Sequence, residues 1–141
     1  MTAPRRPHEQ GSATLEVAIV TPALILFMLL VVFGGRLALA HGEADSAARD
    51  AARAASIARS AGAATGNARQ AAAATLTNAG ISCRGFAVAT DTSGFQPGGA
   101  VTVEVACTAA LSDLGLLGVP GSQTLHGRYT APVDRFRGVL Q

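Results

Sequence analysis

The chain has 141 residues, a formal net charge of +2 and an apolar fraction of 49%, in which aromatic residues account for only 4% of the chain. This length leaves room for one domain of modest size, and the small charge, without basic residues clustered among aromatic ones, excludes a nucleic-acid-binding protein. Lysine is absent, which excludes a phosphate-binding loop of the GxxxxGK[ST] type.

The N-terminal quarter contains a polar leader, residues 1–11, followed by a long apolar run. Residues 17–33 carry no charge, and with the two glycines that follow the run would cover roughly 28 Å as a helix, enough for the hydrocarbon core of a bilayer. The basic pair Arg5 and Arg6 before the run predicts a cytoplasmic N-terminus and an extracytoplasmic C-terminus. We therefore predict a transmembrane helix over residues 12–36 in a single-pass protein of the cell membrane.

A cleaved signal peptide is the alternative interpretation of the same segment. Ala38 and Ala40 have the small-x-small form that signal peptidase prefers, which would make His41 the first residue of the mature protein. The apolar run is longer than the usual core of about 7–15 residues in a signal peptide, and Arg36 stands before the cleavage site. Both features favour a helix that stays in the membrane as an anchor. They do not decide where the chain is cut.

Glu16 stands at the start of the apolar run, where a carboxylate is unfavourable. One interpretation is that it lies at the level of the lipid headgroups, where the positive end of the helix satisfies it. The other depends on spacing, because a cut after Gly11 would put the new amine of Ser12 about one helical turn from this carboxylate. In a packed assembly the carboxylate would then pair with the amine of a neighbouring subunit, which offsets the cost of burying either charge.

These features combine in the stretch GSATLEVAIVTPALILFMLLVVFGGR, residues 11–36. Its first six residues resemble a type IV prepilin processing site, and the whole stretch resembles the TadE-like family of tight-adherence pilus proteins. Members commonly have glycine, four residues, glutamate, an apolar run with an early proline (here Pro22) and a glycine-arginine exit (here residues 34–36). The C-terminal residues 131–138 are similar to the ending of actinobacterial members. Val17 departs from the pattern, because many members have an aromatic residue there.

The resemblance implies a pilin-like structural or assembly subunit of a tight-adherence type IV pilus, of the minor pilin or pseudopilin kind. It implies insertion in the membrane, cleavage between Gly11 and Ser12 by a prepilin peptidase, and partnership with other pilus subunits and the pilus assembly machinery. Glu16 would guide the register of that assembly. The competing hypothesis is an extracytoplasmic binding module, tethered to the membrane or secreted, that recognises material of the cell envelope.

Residues 37–79 have the pattern of a single Ala-rich amphipathic helix. From Ala44 to Ala58 alanines recur at spacings of three and four, which gives the helix one face of small residues. The opposite face carries charges such as Asp45 and Arg49, whose pairs stabilise a helix by only a few tenths of a kcal/mol each. We expect the alanine face to pack either on the chain's own sheet or on neighbouring copies of the helix, and we expect glycines to mark any break.

Residues 80–141 are predicted to form an extracytoplasmic β domain. Residues 81–90 and 101–109 have the composition of two strands, and the residues between them are rich in turn formers. With the turn at its midpoint, Cys83 falls opposite Cys107, and small apolar residues of the first strand face the valines of the second. In this one register the two cysteines lie opposite each other, and the apolar side chains of both strands lie on the same face of the sheet.

This register predicts a disulfide between Cys83 and Cys107. It would close a loop of about 25 residues and stabilise the domain by roughly 3 kcal/mol in the chain-entropy description. Such a bond needs an oxidising compartment, in agreement with an exported C-terminus. Two buried free thiols are the alternative.

Residues 122–131 alternate polar with apolar side chains and predict a third, antiparallel strand after a turn-rich connection over 111–121. The complete order of elements predicts an α+β fold of pilin-like type. In this fold a long transmembrane helix continues into an Ala-rich helix, and a small antiparallel sheet of about three strands follows.

Residues with catalytic or metal-binding chemistry are scattered along the chain. Serine, histidine and aspartate occur without the spacing of a triad, so we expect no enzyme activity. His8, His41 and His126 stand in separate contexts without the close spacing of metal ligands. We therefore expect neither a metal nor another cofactor.

Overall fold

The computed structural model describes residues 10–112 and 120–136. The elements follow in the order α1 (Gln10–Ser56), α2 (Ala61–Asn78), β1 (Cys83–Asp91), β2 (Ala100–Ala110) and β3 (Ser122–Pro132). This order confirms the predicted α+β class, with a long apolar helix, a second helix and a three-stranded antiparallel sheet. Two compact units make up the chain, Met1–Gly35 and Arg36–Gln141.

In the first unit, α1 presents apolar side chains on every side. Every large apolar side chain from Val17 to Phe33 is exposed, and the helix from Glu16 onward is long and apolar enough to cross a membrane. Pro22 lies inside the helix and lacks an N–H, and the hydroxyl of Thr21 donates to the Val17 carbonyl at 2.7 Å. A helix that is apolar all round is stable only in lipid or against partner chains.

In the second unit, the single helix predicted over residues 37–79 is two helices. Residues 57–60 break it, and Ser60 caps the start of α2, where its hydroxyl oxygen accepts a hydrogen bond from the Ala63 N–H at 3.2 Å. The break is therefore followed by a serine cap, and no glycine stands within residues 57–60. Gly62, one of the expected breakpoints, lies inside α2 with open space where a Cβ would stand.

The alanine face packs on the chain's own sheet. The core is formed by small residues of both helices and by alternate residues of β2. Its fully buried members include Ala44, Ala47, Ala48, Ala51, Ala52, Ala55, Ala64, Ala68, Ala72, Val101, Val103 and Val105. Because alanine ends in a methyl group, the helices approach the strands closely. We expected this face to pack either on the chain's own sheet or on neighbouring copies of the helix, and in the structure it packs on the sheet.

The sheet has the order β1-β2-β3, and both neighbouring pairs are antiparallel, which confirms the predicted third strand. On its outer face, hydroxyls pair between β2 and β3, with Thr102 and Thr130 at 2.8 Å and Thr108 and Thr124 at 3.1 Å. These cross-strand hydrogen bonds fasten the edge strand β3 to the central strand.

The register between β1 and β2 differs from the predicted one. Val88 pairs with Val105 and Phe86 pairs with Cys107, so that these two β1 side chains pack against the core while the small residues expected there are exposed. Cys83 pairs with Ala109, two residues beyond its predicted partner, and after a β-bulge just past Cys83 the shift is three residues, with Gly85 opposite Thr108. An extra residue on one strand moves the following side chains to the opposite face, which a turn placed at its midpoint does not anticipate.

The predicted disulfide between Cys83 and Cys107 is present, with the two Cα atoms 5.3 Å apart. Cys83 lies in register with Ala109, so the bond runs diagonally from β1 to β2 across the bulge. Cys107 is buried and Cys83 is half-buried. The bond thus ties the start of the edge strand to the centre of the sheet.

The turn between β1 and β2 is held by hydrogen bonds at both ends. The Asp91 carboxylate accepts from the Ser93 N–H at 2.9 Å, and hydrogen bonds from the side chain and then the backbone of Ser93 lower the Asp91 pKa below its ordinary value of 3.8. At the other end, the Val133 N–H donates to the Gly99 carbonyl at 2.9 Å, and the Gly98 N–H donates to the Val133 carbonyl at 3.2 Å. The segment after β3 therefore closes the turn.

Candidate functional site

The first turns of α1 contain the residues that the sequence marks for processing. The helix begins at Gln10, so Gly11 and Ser12 lie in its first turn. Glu16 follows Ser12 by four residues, a distance of about 6 Å along a helix axis. The prediction that a new Ser12 amine pairs with this carboxylate in a neighbouring subunit depends on this spacing.

Glu16 is exposed, and the following residues up to Gly35 are uncharged. A carboxylate at this place, once in lipid or inside an assembly, is unfavourable unless a cation pairs with it. Glu16 is therefore the one charged residue of the α1 stretch from residue 12 to residue 35. A lone carboxylate in such surroundings is able to pair with a positive group.

In the second unit, an open groove of about 560 Å³ is formed by the C-terminal turns of α1 and by β3. Its lining consists of Arg49, Asp50, Arg53, Ser56, Ile57, Tyr129, Ala131 and Pro132. We call this the α1–β3 groove. The Arg49 guanidinium lies over the Tyr129 ring, with Cζ 6.0 Å from the ring centroid. Ile57 is 65% exposed and Tyr129 is 43% exposed, so apolar surface in the groove faces solvent.

The charges that line the α1–β3 groove sum to +1, from two arginines and one aspartate. The aspartate, Asp50, accepts a hydrogen bond at Oδ2 from the Thr75 hydroxyl at 2.8 Å, which joins α1 to α2. The groove therefore combines a small net positive charge with exposed apolar surface. An anionic group carried on a small apolar surface fits this combination.

A second groove, of about 390 Å³, lies beside the disulfide, between the end of α2 and the start of β1. Its lining is Ala73, Leu76, Thr77, Gly80, Ile81, Ser82, Cys83 and Phe86. The Arg69 guanidinium lies over the Phe86 ring, with Cζ 6.0 Å from the centroid. The described residues that line it carry no acidic or basic side chain, and Cys83 is in the disulfide with Cys107.

Potential metal ligands remain scattered in the structure. Across residues 10–112 and 120–136, no three or more histidines, cysteines, aspartates or glutamates come together in a way that would hold a metal ion. His41 is half-buried in α1 and His126 is exposed on β3, while His8 lies outside the described residues.

Sequence reasoning did not find the α1–β3 groove, because it did not place α1 beside β3. The signal was Gly127, in the middle of an alternating strand. A Cβ at this position would overlap the Ala44 carbonyl and come within 2.9 Å of the Asp45 nitrogen. A glycine where alternation calls for an inward side chain is typical of close backbone approach, and it could have indicated a helix crossing this strand.

The N-terminal site lies in a stretch that matches a family of known proteins. Residues 11–53 match the model of a family described as TadE-like protein. The match includes Gly11, Ser12 and Glu16, and it confirms the resemblance seen in the sequence motif over this stretch. No curated protein and no solved structure matches the chain.

Proposed function

We propose, because residues 11–53 match the TadE-like family, that this protein is a pilin-like structural or assembly subunit of a tight-adherence pilus. The observation that carries the proposal lies within the matched stretch, where α1 exposes apolar side chains on every side and has one carboxylate at its start. Such a helix needs lipid or neighbouring helices around it. The same helix therefore serves first as a membrane anchor and then as the packing element of an assembly.

The proposed topology has a cytoplasmic N-terminus and an extracytoplasmic β domain. The arginine pair of the leader supports this direction, because positive residues favour the cytoplasmic side. The Cys83–Cys107 disulfide supports it independently, because such bonds persist in oxidising compartments. A prepilin peptidase acting at the membrane would then cut after Gly11 and release the leader.

Glu16 is proposed to set the register of assembly by pairing with the Ser12 amine of a neighbouring subunit. Pairing removes the cost of an isolated carboxylate in an apolar environment, and breaking a buried pair costs about 3–5 kcal/mol. One register of the helices satisfies both charges, whereas shifted registers leave both unpaired. The carboxylate therefore supplies specificity that the apolar surface alone lacks.

Glu16→Gln is expected to leave membrane insertion intact and to reduce incorporation into sheared surface filaments by about a hundredfold, which corresponds to about 3 kcal/mol. The measurement compares the protein in the membrane and filament fractions by quantitative immunoblotting. Glu104→Gln is the matched control, because Glu104 is an exposed carboxylate of the sheet. Equal incorporation of the Glu16→Gln variant and the unchanged protein would show that Glu16 does not act in assembly.

A further inference from the structure

In the second unit, the face of α1 that points away from the sheet is exposed and is available to a partner. Its alanine face is buried against the chain's own sheet, so neighbouring copies cannot use it. The exposed face carries Asp45 first and then Arg49 and Arg53 along the chain. Along this surface Asp45 therefore precedes the two arginines by one to two turns, and Asp50 lies beside them on the side that lines the groove.

We propose that the α1–β3 groove receives the acidic turn of α1 from a second copy of this chain, with Asp45 of that copy against Arg53. The inference rests on the proposed function, since it names the partner surface by which the extracytoplasmic parts of two subunits pack. Charge complementarity carries it, because the groove is positive and Asp45 is an exposed acid on the same chain.

The order of the charges selects one axial shift between two copies that run in the same direction. Without a shift, each residue faces its own counterpart, and like charges repel. A shift of four residues puts Asp45 against Arg49 but also puts Arg49 against Arg53. A shift of eight residues, about 12 Å along the helix, puts Asp45 against Arg53 and Arg49 beside the exposed Ile57. This shift pairs Asp45 with Arg53, sets Asp50 of the groove opposite the uncharged Gly42, and places no like charges opposite each other on this face.

Gly42 makes the acidic turn narrow enough for close approach. It precedes Asp45 by three residues, so both lie on the same face of α1, and nothing stands within 4 Å of the Cβ position at Gly42. A partner surface can therefore reach the helix backbone beside the carboxylate. In the groove, the partly exposed Tyr129 and Ile57 supply the apolar surface that this turn would cover.

The test places a photo-crosslinking amino acid at Ile57 in the full-length protein in its own membrane. We expect ultraviolet light to give a homodimer, and we expect Asp45→Arg or Arg53→Asp alone to lower its yield by about tenfold. Asp45→Arg together with Arg53→Asp in the same chain should restore the yield, because the pair is then reversed. The yield should also fall as the salt concentration rises.

Arg59→Asp is the matched control, since Arg59 is an exposed arginine that does not line the groove. Recovery in the doubly reversed protein also shows that the reversed side chains do not unfold the domain. Loss of the homodimer with Arg53→Asp but not with Asp45→Arg would show that a different acidic residue of the second copy meets Arg53, and it would overturn the proposal. Unchanged crosslinking yields in all variants would also overturn this proposal. The proposed function would still hold in that case if Glu16→Gln reduced the amount of protein in the filament fraction.

Discussion

Gly127→Ala is expected to lower the free energy of unfolding of the second unit by at least about 2 kcal/mol, although it adds a single methyl group. The reason is close contact between backbones. The added Cβ would overlap the carbonyl of Ala44 in α1, and a helix backbone cannot rotate away as a side chain can. Strand β3 and α1 would have to separate, which opens the buried alanine face. Denaturant unfolding of the full-length protein in detergent, followed by circular dichroism, measures the loss.

Gly85→Ala provides the control for this prediction. Gly85 also lies in a strand, but a Cβ there would meet only the Thr108 side chain, at 3.6 Å, which is an ordinary contact distance. The two variants make the same chemical change and differ in the space available. Equal stability of the Gly127→Ala and Gly85→Ala variants would show that α1 does not pack on β3 in this way.

Removing the disulfide is the second change with a large expected effect. Cys83→Ala together with Cys107→Ala should lower the free energy of unfolding by about 3 kcal/mol, because the unfolded chain loses a closed loop of about 25 residues. The effect is large for a domain of this size, since small cores leave little stability in reserve. Thermal unfolding of the oxidised protein and of the doubly substituted protein measures the difference.

Reduction of the unchanged protein is the control for the substitutions. If the stability comes from the covalent bond, a reductant should destabilise the unchanged protein by about the same amount and leave the doubly substituted protein unaffected. A doubly substituted protein as stable as the oxidised one would show that the bond adds nothing to the fold. Free thiols in protein taken from the cell surface would contradict the proposed export.

The elements of the fold follow largely from local sequence patterns. The apolar run and the strand patterns in residues 101–109 and 122–131 each predicted the element that the structure contains, and the alanine periodicity predicted helix on both sides of the break at residues 57–60. The cysteine pair was predictable as well, because two strands around one turn bring Cys83 and Cys107 near each other. These features depend on patterns over a few residues, which a sequence shows directly.

The differences arise where a single residue changes the geometry. The bulge after Cys83 reverses the faces of β1, and no turn signal marks it in the sequence. The break before α2 depends on Ser60, whose capping pattern competes with a strong helical periodicity on both sides. The inward positions of Phe86 and Val88 follow from the three-residue shift in register between the bulge and the turn.

The two candidate sites also differ in how far the sequence predicts them. Gly11 and Glu16 were recognisable because the motif is contiguous in the chain. The α1–β3 groove was not, because Arg49 and Tyr129 are far apart in sequence and meet only after the helix crosses the strand at Gly127. Contacts of this kind depend on tertiary packing, and a lone glycine in β3 was their sequence signal.

The N-terminal residue of the mature protein, isolated from membranes and from surface filaments, tests the central claim most directly. We expect sequencing to begin at Ser12, and we expect Gly11→Val to leave the leader attached and the protein absent from filaments. A chain that begins at His41 would show secretion after a signal-peptide cut. A chain that retains the leader in both fractions would show a plain anchor, and either result would contradict the assignment of α1 as a processed assembly element.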